Sequence, residues 1–299
     1  MNDPVPLAPH QAAALVWPAV DRVFRAVLAT ARIRGGAELV QRYGGPAATG
    51  FLVDFRTRLA APGGTVDRTG LAALFRYGDP AECQRALDKQ VAHGMLHRLP
   101  DGGILATERG RAFLTDLFAL HAELTGEIWA AHPERVRRLA AILGRLLSAA
   151  LADPATTAAP APGAAPDQSY GYGRLPPFPG GTGPTDTVGV QGPTDTVGVQ
   201  GPTDGRAFEA MAPPHEPDGT PPGVLLLNRL GVLRYHRADA HAAAWQAAGH
   251  TARSIVELAA GPERLAIELE TDRRAAGPYA VLTPPERLRL LADLAALPG

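Results

Sequence analysis

The chain has 299 residues, and its 29 Lys and Arg against 30 Asp and Glu give a formal net charge of −1, so no overall positive charge attracts nucleic acid. Hydrophobic residues make up 45% of the sequence, enough for ordinary cores, and the length allows two modest domains. The single cysteine, Cys83, excludes an intrachain disulfide and a CxxC metal pair. No apolar run is long enough to span a bilayer and no signal-peptide pattern opens the chain, so we expect a cytoplasmic protein that does not contact membranes.

The chain is predicted to be mostly helical up to residue 60. Apolar residues repeat with helical spacing over residues 11–33, where Pro18 either kinks the helix or marks its start. Shorter helices are predicted at residues 37–43 and 49–60, before the break at residues 62–64 (PGG). We expect the first helix to pack in a core or in a dimer interface.

A helix, a turn and a second helix are predicted in residues 71–96, LAALFRYGDPAECQRALDKQVAHGML. Asp79 suits the N-cap of the second helix, Pro80 its first position, and Glu82 a capping box. Apolar residues then recur every four positions, at Cys83, Leu87, Val91 and Met95. Gly94 suits the end of the helix, where a positive φ is often needed.

A short β-hairpin and a long helix follow. In residues 97–106, HRLPDGGILA, two short extended segments flank a turn in which Gly102 and Gly103 supply the positive φ that a hairpin requires. Thr107 suits the cap of a helix that runs from Glu108 to residue 131. A helix–turn–helix followed by such a hairpin and a long helix is the winged-helix arrangement. The alternative is a helical domain with an incidental hairpin.

The segments LDKQVAHGML, HRLPDGGIL and ATERGRAFL resemble, in this order, the recognition helix, the wing and the following helix of MarR-type transcriptional regulators, within residues 65–125. The resemblance implies a regulator that binds double-stranded DNA as a homodimer and responds to a small-molecule effector. Apolar surface in residues 16–31 and 135–151, more than one small winged helix can cover, also favours a homodimer. The alternative function is a winged helix that binds a protein or a small molecule without touching DNA.

The DNA-facing residues are predicted from helical geometry. With Leu87 at the buried centre of its helix, Arg85 lies at about 160° and Lys89 at about 200°, so both point outward. Arg and Lys can bind guanine or phosphate, and Gln can pair with adenine. The predicted DNA-binding residues are Gln84, Arg85, Lys89 and His93 on the helix, Arg98 on the wing, and Arg109 and Arg111 just after it. Glu82 and Asp88 dilute the positive charge, so the alternative is a solvated helix face.

Residues 153–205 are predicted to be a disordered linker. They hold 10 prolines and 11 glycines, and the nonapeptide GPTDTVGVQ occurs at 183–191 and again at 192–200. They also separate regions of different charge. Residues 1–152 hold 18 basic against 14 acidic residues, a balance of +4, and are the only positive region. We therefore predict a winged-helix domain at 1–152, the linker at 153–205 and a mostly α domain at 206–299.

The C-terminal region is predicted to contain helices at 223–248, 251–258, 262–276 and 283–297. Its segments LRYHRADAH and ETDRRAAGPYA resemble those of little-characterised actinobacterial helical proteins related to MarR regulators. Residues 279–282 stand before the predicted helix TPPERLRLLADL, just as the wing residues 103–105 stand before the predicted helix ATERGRAFLTDL, and the two arrangements resemble each other. The region is therefore either a second, degenerate winged helix or a plain helical bundle, and the fold class is mainly α in both cases.

The densest polar cluster is on the first of these helices, at His236, Arg237, Asp239 and His241. These side chains are candidates for binding a small molecule or for interdomain contacts; the alternative is a solvated or hydrogen-bonded helix face. The two histidines lie about 140° apart on a helix, so they cannot share a metal ion unaided. The sequence contains no nucleophile elbow and no phosphate-binding glycine motif. We predict no enzyme activity, no cofactor and no bound metal.

Overall fold

The computed structural model describes residues 6–152 and 206–298. The predicted linker at 153–205 lies outside these residues. The α-helices are α1 (Pro9–Ala31), α2 (Ala37–Arg42), α3 (Pro46–Asp54), α4 (Arg56–Leu59), α5 (Arg68–Leu74), α6 (Pro80–Ala92), α7 (Glu108–Ile128), α8 (Pro133–Ala152), α9 (Ala207–Met211), α10 (Pro222–Ala247), α11 (Ala252–Glu257), α12 (Pro262–Arg274) and α13 (Pro284–Ala295). A π-helical turn, Arg32–Gly36, joins α1 to α2, and a 3-10 helix, Gly277–Val281, precedes α13. The prediction of a mainly α fold is confirmed.

One small antiparallel sheet is present in the described residues. It contains β1 (Thr65–Val66), β2 (Leu96–Arg98) and β3 (Ile104–Ala106), in the order β1-β3-β2. Leu96 pairs with Ala106 and Arg98 pairs with Ile104, which gives the predicted hairpin, with Gly102 at φ +85° in its turn. The pairing of β1 with β3 was not predicted, because a two-residue strand has no alternating pattern to detect.

Helix α6 is formed by the local signals found in the sequence. Its N-cap Asp79 accepts a hydrogen bond from Ala81 N at 2.7 Å, Pro80 is its first residue, and Gly94 follows its end with a φ of +67°. Leu87 is buried as expected. Gln90, one residue off the predicted apolar stripe, is also buried, and its Oε1 accepts a hydrogen bond from Phe51 N at 3.2 Å. This bond attaches α6 to α3.

The largest apolar core contains helices from both described parts of the chain. Val20 of α1, Leu143 of α8, Leu227 of α10 and Leu290 of α13 are all fully buried in it. The apolar faces of α1 and α8, which suggested a dimer interface, are thus covered by α10 and α13 of the same chain. The C-terminal helices take the place that a second copy was expected to fill.

A second core lies beneath the sheet. Phe55, Ile104 and Phe113 are buried there, together with Met211 of α9. Helix α9 approaches α5 closely because Gly70 has no side chain; a Cβ at Gly70 would lie 2.6 Å from Ala210 Cβ. Residues that follow position 205 therefore complete the core formed by residues 39–117.

Of the two alternatives for the C-terminal region, the structure shows a helical arrangement and not a second, degenerate winged helix. Residues 279–281 of the segment compared with a wing strand lie in the 3-10 helix Gly277–Val281, and residues 206–298 contain no β-strand. Pro278, near the start of that helix, removes a backbone donor that a strand would use. Tyr279 is buried in the large core instead of pairing with a neighbouring strand.

Candidate functional site

The exposed face of α6 carries the centre of the predicted DNA-binding set. Because Leu87 and Gln90 point into the protein, the opposite face presents Gln84, Arg85 and Lys89 to solvent. The Lys89 side chain makes no hydrogen bond or ion pair with any described residue. The geometry therefore agrees with the angles derived from the sequence.

The charge on this face is mixed. Asp88 Oδ1 accepts hydrogen bonds from Arg98 Nη2 of β2 at 2.6 Å and from Gln84 Nε2 at 3.0 Å. Arg85 Nη2 lies 4.0 Å from Glu82 Oε1. The structure thus brings Arg98 next to the α6 face, but it also places a carboxylate beside each of the two arginines.

The remaining predicted residues lie at the end of α6 and at the start of α7. Arg109 donates to His93 O and to Tyr43 O, each at 3.2 Å, and so connects the end of α6 with the end of α2. Arg111 donates to Ala106 O of β3 at 2.8 Å. Both arginines and His93 are exposed, and each guanidinium keeps further N–H donors on its solvent side.

The α10 cluster does not converge on one point. Asp239 is buried; it forms an ion pair with Arg76 and accepts hydrogen bonds from Ala207 N at 3.0 Å and Phe208 N at 2.8 Å. It therefore connects three segments: α10, the first turn of α9 and the loop that leads into α6. His236 is buried at 5.3 Å, edge-on, from the Phe208 ring. Burial lowers the His236 pKa to about 4, so the ring is neutral at pH 7.

The other two members face α12 and the loop before α6. Arg237 Nη1 forms an ion pair with Asp272 Oδ1 at 2.5 Å. His241 Nδ1 is 3.2 Å from the hydroxyl of Tyr77, and its Nε2 is 3.6 Å from Glu268 Oε1. Burial, and then the charge of Arg237, lower the His241 pKa to about 4. These side chains form a network of interhelical contacts, in which the His241 imidazole lies between the Tyr77 phenol and the Glu268 carboxylate.

Sequence reasoning missed the partners of this network. Arg76 and Tyr77 lie 163 and 164 residues from Asp239 and His241, and no local pattern connects them. It also missed Arg56, which is 4% exposed. A polar residue in a helix is normally assigned to solvent, so burial of this kind has no signal in a single sequence.

Within residues 6–152 and 206–298, no three His, Cys, Asp or Glu side chains are grouped as a metal site would require. In the same residues, every helix is too short or too polar to cross a membrane. The chain matches no protein-family model, and the searches of curated proteins and of solved structures found no match either.

Proposed function

We propose that the chain is a MarR-like transcriptional regulator that binds double-stranded DNA through a winged helix at residues 46–106. The order of elements supports this proposal: a helix, a short strand, the pair α5 and α6, and the hairpin β2–β3, followed by the long helix α7. The sheet order β1-β3-β2 holds the hairpin beside α6. In this arrangement α6 is the recognition helix and the hairpin is the wing.

The single observation that carries the proposal is the exposed face of α6. Gln84, Arg85 and Lys89 point away from both cores, and Arg98 of β2 reaches the same face. A helix presented in this way fits the major groove, where Arg and Lys bind guanine O6 and N7 or grip phosphates. Arg109 and Arg111 lie outside this face and fit the role of phosphate contacts.

The second candidate function is a winged helix that binds a protein partner or a small molecule without DNA. The observation that favours it is the pair of carboxylates on the same face. Asp88 holds Arg98 at 2.6 Å, and Glu82 lies beside Arg85, so the field that a phosphate backbone meets is close to neutral. If the chain binds DNA, Arg98 must release the Asp88 carboxylate and bind a phosphate of the DNA instead.

The experiment compares two double variants in a fluorescence anisotropy assay with labelled duplex fragments at two salt concentrations. Arg85→Ala with Lys89→Ala removes both outward cations of α6. The control, Arg137→Ala with Arg253→Ala, removes two cations whose side chains are 53% and 90% exposed on α8 and α11. Both variants change the net charge equally, so a general loss of positive charge affects them alike.

We expect the wild type and the control to bind with the same salt dependence. The α6 variant should bind more weakly. Its plot of log K against log salt should also be less steep by about 2, because each lost phosphate contact reduces the magnitude of the slope by roughly 0.9. Normal DNA binding by a folded α6 variant would exclude this face as the surface that contacts DNA. If the wild type binds no DNA, the second candidate function takes its place.

We also propose that DNA is bound by a homodimer, as the resemblance implies, but not through the apolar stripes of α1 and α8. Those stripes are covered within the chain. Exposed apolar side chains on or near these helices include Leu15, Ile33, Leu151, Val281 and Leu288, which are 41–82% exposed. A small-molecule effector stays a prediction, for which the α10 network is the candidate.

A further inference from the structure

The interior between α1, α4 and α10 contains more cationic than anionic side chains. The Phe24 ring is contacted by two guanidinium groups, with Arg234 Cζ at 4.5 Å and Arg56 Cζ at 5.7 Å from the ring centroid. Asp21 pairs with Arg234 at 2.9 Å, and it also pairs with Arg25 at 2.7 Å. The Asp21 carboxylate therefore pairs with Arg25 and Arg234, and Arg56 is the third arginine of this region.

Arg56 has no such partner. It is 4% exposed and forms no ion pair with any described residue. Its Nη1 donates to Val53 O at 3.0 Å, but its buried Nε has no hydrogen-bond acceptor in the part of the chain that the structure describes. The charge of Asp54 acts on it only from beyond ion-pair distance. A buried guanidinium without an ion-pair partner is unfavourable, because it has lost its hydration.

Two further polar side chains in this region have atoms without a hydrogen-bond partner among residues 6–152 and 206–298. His121 of α7 is 1% exposed, and its Nδ1 makes no hydrogen bond. Asn228 of α10 is 0% exposed, and neither Oδ1 nor Nδ2 has a partner. Buried polar atoms are almost always satisfied in folded proteins, so three unpaired nitrogen atoms in one region, beside the unpaired Asn228 Oδ1, indicate a bound ion or molecule.

The helical repeat of α10 and the surroundings of Arg56 direct the three residues toward the same part of the interior. Asn228, Gly231 and Tyr235 share one side of α10, because they are three and four positions apart. A Cβ placed on Gly231 would lie 3.7 Å from Arg56 Nη2, so this side of α10 faces Arg56. Burial, and then the charge of Arg56, lower the His121 pKa to about 3, which places the imidazole within the field of the guanidinium.

We propose that Arg56, His121 and Asn228 bind a small monovalent anion, of the size of chloride, inside the protein. The guanidinium Nε–H, the imidazole Nδ1–H and the carboxamide Nδ2–H all supply donors to it. An anion also places a negative charge in contact with the Arg56 guanidinium, which a water molecule does not do. A monatomic ion suits side chains that are all at least nine-tenths buried. This site is separate from the α6 face and does not depend on the proposed function.

The test measures the unfolding temperature by circular dichroism while sodium chloride replaces sodium gluconate at constant ionic strength. An ion that binds only the folded state raises the unfolding temperature with the logarithm of its concentration, here by roughly 3 to 5 °C per tenfold rise above its Kd. Arg56→Gln should abolish this rise. Arg137→Gln, which removes an exposed arginine of α8, should keep it and so controls for general salt effects. A rise that persists unchanged in Arg56→Gln overturns the proposal, and so does a wild type without any rise.

A second variant keeps the test decisive if Arg56→Gln does not fold. Asn228→Asp supplies a fixed carboxylate of the same shape in place of the ion, so its unfolding temperature should not respond to chloride. Crystals of the wild type grown in sodium bromide should show an anomalous peak among Arg56 Nε, His121 Nδ1 and Asn228 Nδ2. A response of Asn228→Asp equal to that of the wild type, or density there that holds water alone, would overturn the assignment.

Discussion

Asp239 should be among the most sensitive positions of the chain, because its carboxylate satisfies three donors at once. Its side chain is 4% exposed, and that of its ion-pair partner Arg76 is 6% exposed. Removing one member of a buried ion pair costs about 3–5 kcal/mol, since the other charge stays buried without a partner. The N–H groups of Ala207 and Phe208 lose their acceptor as well, although these losses do not simply add.

We therefore expect Asp239→Ala to lower the free energy of unfolding by about 3–5 kcal/mol in urea titrations. Arg76→Met combined with Asp239→Leu removes both charges, so it should recover part of this loss. It should still remain about 1–3 kcal/mol below the wild type, because the two backbone donors of α9 stay unpaired. Glu134→Ala breaks the exposed ion pair with Arg137 and should cost less than about 1 kcal/mol. A loss below about 1 kcal/mol for Asp239→Ala would refute the view that this residue connects α9, α10 and the loop before α6.

Two further expectations concern pH and assembly. The pKa values of His121, His236 and His241 are lowered to about 3, 4 and 4. Each is below the unfolded value of about 6.5, so the unfolded chain binds more protons and stability should fall as the pH drops from about 6.5 to about 4. Urea titrations across this range should show the loss, with a smaller slope in His236→Leu; a stability that stays constant would contradict the burial of these rings. Light scattering should give twice the mass of the 31.3 kDa chain if the homodimer forms, and a monomer at micromolar concentration would exclude it.

Local chemistry made part of the fold predictable. The cap and first turn of α6 follow from Asp79 and Pro80, and the hairpin follows from Gly102, because each signal acts within a few residues. The outward direction of Arg85 and Lys89 needed only the helical repeat and one buried reference residue. These features require no knowledge of the rest of the chain.

The features that could not be predicted depend on distant contacts. Gln90 is buried because Phe51 N, 39 residues away, donates to it. Asp239 is buried because Arg76 and the start of α9 meet it, and neither is near it in the sequence. The likeness of residues 279–282 to a wing strand failed for the same reason, since burial of Tyr279 in the large core decided its conformation. A single sequence displays local propensity, whereas tertiary packing determines which polar side chains are enclosed.

The packing of α1 against α13 has a consequence for synthesis of the chain. Arg22 of α1 donates to the carbonyl groups of Leu294 and Leu297, at 2.8 and 3.0 Å, across 272 and 275 residues. At a translation rate of about 5–20 residues per second, α1 leaves the ribosome on the order of 10 to 50 s before α13 is complete. During that interval its apolar face has no native cover from the C-terminal helices. The large core therefore cannot form completely until α13 has been synthesised. Newly made chains are most prone to aggregation before that point.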